Sequence, residues 1–287
     1  MDFNSRLVFG ISGIAKLGSK GGYYLLETAR DLGISHFDVA PLYGYGIAEN
    51  YLGDFVKYKR HSIHITTKAG IGYSIFTPYL YKLHLYLMNF NRINSKSLPK
   101  NFVSNTSKLW RTNFDANYIE SSVNSSLKRL KTDYIDCLLL HEAQLLHFSN
   151  DDLIKVLHKL KSDGKVLKFG IGGQCSNVID AMELDDIYEV LQINAGYNFA
   201  NIASIKSIYP SIELNIFSVY NDNSLLKDET IMETNNLHLN ACTNRMALLL
   251  FNAIMLGATR VLFSTNKIDN LILNVGDLRK ISQEFVK

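Results

Sequence analysis

Four residues of this 287-residue chain are of types that together could move a proton while a hydride is delivered to a carbonyl: the carboxylate Asp38, the phenol Tyr43, the ammonium Lys68 and the imidazole His141. Asp38 closes the apolar run HFD, Tyr43 follows in the next loop, Lys68 comes after IHITT and His141 after YIDCLLL. If those runs are parallel strands, the four side chains converge on one rim, the end at which the β/α loops of a barrel build active sites. A free tyrosine, with a pKa of about 10, is too weak an acid at neutral pH, but a neighbouring cation can lower it by roughly 1 to 3 units. Lys68 is the expected cation, held charged and oriented by Asp38. His141 is then placed to donate to the substrate oxygen or to join a proton relay, and Tyr43 to protonate that oxygen. Singly, each has a plainer reading, as an ion pair or a packing side chain; it is their order along the chain that argues for chemistry.

The elements that must position them are legible as an alternation of short apolar runs and amphipathic stretches, the pattern of parallel β/α units. Strands are expected at Leu7 to Ile11, His36 to Ala40, Ile63 to Thr67, Tyr134 to Leu140, Leu167 to Gly172, Val190 to Asn194, Leu214 to Val219 and Arg260 to Phe263. Between them, Ala48, Tyr51, Leu52 and Phe55 share one helical face, as do Ile119, Val123, Leu127 and Leu130. Asp115 is placed to cap the second of these helices; Asn150 or Asp151 caps the one carrying Leu153, Val156, Leu157 and Leu160, and Gly164 ends it. This number of units in a chain of this length suits a closed (β/α)8 barrel, with a doubly wound open sheet as the alternative. Residues 70 to 115 are too long for an ordinary β/α loop. Their first half, Tyr73 to Phe90, is aromatic, and the segment reads as a surface excursion packed on the barrel, a substrate wall, or a membrane or subunit contact.

Composition limits the classes of function. With 47% hydrophobic and 20% charged residues the chain can build a large core, and a formal charge of +3 is too mild for a nucleic-acid binder. The N-terminal sequence resembles neither a secretory signal nor a transit peptide, and the longest apolar stretch, Met246 to Leu256, is far shorter than the roughly 20 residues that cross a bilayer. Cys137, Cys175 and Cys242 fit no metal-ligand or redox spacing and read as buried thiols in a cytoplasmic protein. No metal is expected: the remaining histidines lack ligand spacing. Asp136 reads as a strand-entry or packing carboxylate.

The stretch GISHFDVAPLYGYGIAENYLG, residues 33 to 53, resembles the Gly-x-x-x-x-Asp-x-Ala-x-x-Tyr-Gly motif of the aldo-keto reductases, with its following Glu and Leu-Gly. ITTKAG around Lys68 is similar to that family's lysine segment and YIDCLLLHE to its histidine strand, in the family's order. The resemblance runs from the first strand to the last helix. It implies a single TIM barrel over residues 1 to 287, with an insertion at about 70 to 115, that binds NADP(H) or NAD(H) without a Rossmann fold. It also implies reduction of a small aldehyde or ketone, sugars included, by a monomer or small homo-oligomer, with the four roles above carried by Asp38, Tyr43, Lys68 and His141.

On the cofactor side, the resemblance places Gln192 at the nicotinamide carboxamide and Phe217 against the nicotinamide ring, with Gly10 and Ser218 on the same surface. Gly172 and Gly173 stand where the family has a Ser-Asn pair, so they offer backbone alone. Ser264, Thr265 and Asn266 precede a helix N-terminus suited to phosphate, and Asn274 matches an adenine-contacting asparagine. Asn270 replaces the arginine that grips a 2′-phosphate, which makes Lys267 the expected nearby cation. The choice between NADP and NAD stays open. Two other functions fit the sequence: a cofactor-binding regulatory subunit, as the potassium-channel β subunits of this family are, and a barrel lyase using Lys68 as a Schiff base.

Overall fold

The apolar runs fold as strands, and the amphipathic stretches between them as helices. In this computed structural model the described residues are 3–73, 77–79, 81–82, 110–144, 147, 150–173, 186–194, 200–219 and 244–285. The strands are β1 (Leu7–Gly10), β2 (His36–Asp38), β3 (His64–Ala69), β4 (Ile71–Tyr73), β5 (Trp110–Thr112), β6 (Ile135–His141), β7 (Val166–Gly173), β8 (Tyr188–Asn194), β9 (Glu213–Phe217) and β10 (Arg260–Phe263). All but β4 and β5 close into a parallel barrel in the order β1-β10-β9-β8-β7-β6-β3-β2. The α-helices among the described residues are α1 (Gly18–Asp31), α2 (Ile47–Val56), α3 (Ala116–Leu130), α4 (Asp151–Ser162), α5 (Ala200–Ile208), α6 (Arg245–Met255) and α7 (Ile268–Phe285). The open-sheet alternative is thereby excluded, since the first and last barrel strands pair directly, Val8 opposite Leu262.

Each barrel strand falls on an expected run, Arg260–Phe263 without displacement and the others shifted by a residue or two at one or both ends. β2 stops at Asp38 because the chain turns there, yet Val39 N still donates to Thr66 O at 2.9 Å, so the ladder carries the Asp38 carboxylate to its very end. The helices bury the stripes their spacing predicted: Ala48, Leu52 and Phe55 on α2, Ile119, Val123 and Leu130 on α3, Leu153, Leu157 and Leu160 on α4. Each fully buried Leu, Ile or Phe contributes about 1.5 to 3 kcal/mol of hydrophobic stabilisation. Asp115 caps α3 by accepting from Asn117 N and Tyr118 N. Asn150, rather than Asp151, caps α4. The long apolar stretch near the C-terminus is α6, buried between barrel and α7, and no helix of the described residues is long and apolar enough to cross a membrane.

Inside the barrel the packing is separate from the main core. Cys137, Leu139 and Val190 form their own small cluster, while the large one lies between strands and helices. Gly170 is required here, since a Cβ would sit 2.3 Å from Val190 O where the β7–β8 register shifts. Cys137 is a buried thiol; Cys175 and Cys242 lie outside the described residues. At the N-terminal ends of the strands, Lys168 and Arg260 both pair with Glu213. Asp136 accepts from Arg60 Nη2 at 2.5 Å and Ile65 N at 2.8 Å, the strand-entry role read from sequence.

The long segment after β3 begins and ends in a strand pair that the sequence reading did not assign. Gly70, with φ 106° and no room for a Cβ against Phe114, turns the chain straight into β4, which pairs antiparallel with β5. Departure and return are thus hydrogen-bonded side by side, Ile71 opposite Thr112 and Tyr73 opposite Trp110.

Candidate active site

Asp38, Tyr43, Lys68 and His141 do meet at the C-terminal rim. Lys68 Nζ donates to Asp38 Oδ1 at 2.5 Å and to Val39 O at 3.3 Å, with both charged side chains buried. It lies 5.3 Å from the centre of the Tyr43 ring and interacts with the Tyr43 hydroxyl. His141 ends β6, two strands from Asp38, and pairs in register with Gly172.

The loop that presents Tyr43 is sharply wound. Gly44, Tyr45 and Gly46 all have positive φ, at 60°, 52° and 88°, and Tyr43 N and O bond Ala40 O and Ala48 N. Gly44 is needed twice over, because a Cβ would also lie 2.6 Å from that of Ala15. Behind the loop, fully buried Glu49 accepts from Thr67 Oγ1 at 2.8 Å and Arg129 Nε at 2.6 Å, which ties α2, β3 and α3 together next to Lys68. Tyr45 packs edge-on against both Tyr73 and Tyr81, so the aromatic start of the long segment lies beside the Tyr43 loop.

The electrostatics correct one expectation. Burial raises the Tyr43 pKa, and the opposing pull of Lys68 does not overcome it, so the phenol is a weaker acid than in water. Desolvation was invisible in the sequence and outweighs the cation. Burial alone would depress Lys68, but Asp38 and Tyr43 more than compensate and its pKa is raised. His141 is pushed down to about 3, by burial first and Lys68 second, and is a neutral imidazole at physiological pH.

The residues assigned to cofactor fall into two groups. Gly10, Gly172, Gly173, Phe217 and Ser218 sit at or just past strand ends on the rim, and Gln192 lies two residues before the end of β8, buried beneath it. A Cβ on Gly10 would lie 3.4 Å from that of Ser264, and one on Gly172 would lie 3.7 Å from Gln192 Oε1. Gln192 has a partner that sequence reasoning missed: its Nε2 donates to Asp38 Oδ2 at 2.9 Å. Ser218 has φ 59° just past β9. The second group, Ser264, Thr265, Asn270 and Asn274, lines a cavity of about 530 Å³ formed with α6 and α7. Asn266 and Lys267 are not in that lining: the Asn266 side chain lies over Gly13, and Lys267 is exposed. Among the described residues the cation on the cavity wall is Arg245 instead, the first residue of α6, which sequence reasoning did not single out. Asp277 also lines the cavity and pairs with Lys280 at 2.9 Å. A cavity with a guanidinium, two hydroxyls and three carboxamides, Asn244 among them, after the eighth barrel strand suits the phosphate and base of a nucleotide, in the region where barrels commonly bind phosphate.

A profile of the aldo/keto reductase family matches residues 9–223, from β1 to beyond β9. The chain belongs to the aldo/keto reductase family. Among its curated relatives, it is 27% identical over 222 residues to a D-threo-aldose 1-dehydrogenase of a Pseudomonas species, covering 74% of this chain and 64% of that protein. It is 29% identical over 195 residues to an NADH-specific methylglyoxal reductase of Escherichia coli, covering 65% of this chain and 50% of that one. The matched stretches are therefore less than two thirds of those relatives' lengths. The crystal structure of a Klebsiella pneumoniae aldo-keto reductase in complex with NADPH superposes with a TM-score of 0.61 at 16% identity, over 98% of this chain and 90% of that one. That likeness is one of fold.

Proposed function

We propose that this aldo-keto reductase reduces an aldehyde or ketone to an alcohol with a nicotinamide cofactor, Tyr43 giving the proton. The observation that carries the reading is the buried Asp38–Lys68 pair set against the Tyr43 hydroxyl at a barrel rim. NADP(H) or NAD(H) fits the residues present: Gln192 Oε1 faces Gly172, and the cavity formed with α6 and α7 offers donors for phosphate and base. When bound, it supplies the hydride.

The protein's own part is then proton transfer and orientation. Because burial keeps Tyr43 protonated, the proton it must give is in place at neutral pH. Lys68, held charged by Asp38, stabilises negative charge that builds on Tyr43 as the proton leaves. His141, neutral, donates one N–H to the substrate oxygen and orients the carbonyl without competing as an acid. The raised Lys68 pKa also argues against a Schiff-base lyase, which needs a neutral amine. The methylglyoxal and aldose chemistry named for the relatives supports small oxygenated carbonyls as substrates.

Titration of the purified protein with NADPH and NADH, followed by nicotinamide fluorescence, tests the reading without a known substrate. Binding of either supports it; binding of neither removes it. Aldehyde-dependent oxidation of the bound cofactor is the expected second result.

A further inference from the structure

His141 is followed by a residue that the chemistry above does not use. Glu142 has φ 56°, a left-handed conformation that a non-glycine residue adopts under strain and that tends to persist at functional sites. Its backbone is pinned there, Glu142 N donating to Gly172 O at 2.8 Å. The turn carries its carboxylate over the end of β7, where a Cβ on Gly173 would lie 3.1 Å from Glu142 Oε2. The bare glycine thus makes room for the acid. Among the described residues the carboxylate has no hydrogen-bond or ion-pair partner, although the residue is partly buried. Burial raises its pKa, as expected of an acceptor without a donor.

We propose that Glu142 is a specificity-determining residue whose carboxylate accepts a hydrogen bond from a substrate hydroxyl, so that the site selects hydroxylated aldehydes and ketones over plain ones. This rests on reading the rim as a carbonyl-reducing site. If Tyr43 and His141 hold the carbonyl oxygen, the next residue along, about 3.8 Å away in the backbone, reaches a hydroxyl one or two carbons from it. A partly buried acceptor built for a hydroxyl also disfavours the analogue that leaves it unpaired.

The test compares kcat/KM for glyceraldehyde and propanal in the native protein, Glu142→Gln, Glu142→Ala and Gly173→Ala, with NADPH and NADH. The native protein is expected to favour glyceraldehyde by at least about 10-fold. Glu142→Ala should cut that ratio about 10-fold, Glu142→Gln less because its amide oxygen still accepts, and Gly173→Ala should lower it by displacing the carboxylate. General damage to the fold lowers both rates together and leaves the ratio alone. A ratio unchanged in Glu142→Ala overturns the inference while the reductase reading stands; failure of the native protein to reduce either aldehyde overturns both.

Discussion

Gln192 holds Asp38 from the opposite wall of the barrel: its Nε2 donates to Asp38 Oδ2 at 2.9 Å, and β8 lies four strands from β2 in either direction. With Lys68 on Oδ1, both carboxylate oxygens are fixed, so the lysine ammonium has one position from which to face Tyr43. The bond spans the inside of the barrel just beneath the rim.

Replacing Gln192 by Leu therefore removes the donor that holds Asp38 Oδ2. It leaves Asp38 Oδ2 buried without its donor, at a cost of about 1 to 3 kcal/mol. Thermal unfolding in the absence of any nucleotide should register this loss. A melting temperature unchanged from the native protein would mean that the cross-barrel bond contributes nothing.

Tyr43→Phe should lower turnover on the order of 10²-fold or more, with cofactor affinity nearly unchanged. The pH profile discriminates further. With the Tyr43 pKa raised by burial, kcat/KM for reduction should stay level through pH 9 and fall only above about 10, where the phenol ionises. A fall centred between pH 7 and 9 would show the lysine prevailing over burial after all.

Acid should weaken the fold in a window set by buried histidines. His36, wholly buried with only Thr66 Oγ1 on its Nε2 at 2.7 Å, has its pKa well below normal through burial, then His64, Arg260 and Lys68; His141 falls to about 3. Unfolded, each binds a proton near pH 6.5, so the unfolded state holds more protons below that value and stability declines as pH drops. The expected slope is about 1.4 kcal/mol per pH unit for each histidine, beginning near pH 6.5 and continuing for His141 towards 3. Urea midpoints at pH 7 and 5 measure it, and His36→Gln should flatten the dependence.

Arg245 should decide between the two nicotinamide cofactors. As the guanidinium on the wall of the 530 Å³ cavity, it is placed to meet a 2′-phosphate, so Arg245→Leu should weaken NADPH binding about 10-fold or more while NADH binding changes little. Equal losses for both would assign the arginine a structural role.

The barrel strands were legible because each is a run of apolar residues with its own boundaries, as at Arg260–Phe263, where expectation and structure coincide. Local signals also gave the cap Asp115 and narrowed the next to Asn150 or Asp151, of which Asn150 is the cap. What stayed hidden depends on contacts between distant residues. Gln192 and Asp38 are 154 positions apart, and nothing local to either announces the other. β4 and β5 are three residues each and acquire their identity only by pairing across the long segment. Arg245 stands just before the apolar stretch Met246 to Leu256, with nothing beside it in sequence to mark it as a cavity residue. The direction of the Tyr43 shift needed the depth of burial, which sequence does not carry.

The pairing of β4 with β5 has a consequence for how this protein can change. Because Ile71 and Thr112 are hydrogen-bonded neighbours, the chain re-enters the barrel where it left, and whatever length runs between Tyr73 and Trp110 places little demand on the scaffold below. Loop-closure entropy grows only by about 0.6 kcal/mol for each doubling of length, so this span can lengthen, shorten or be exchanged at small thermodynamic cost. The β4–β5 pair fixes where the segment leaves and rejoins the barrel, while Lys68, three residues before Ile71, keeps its place beside Asp38.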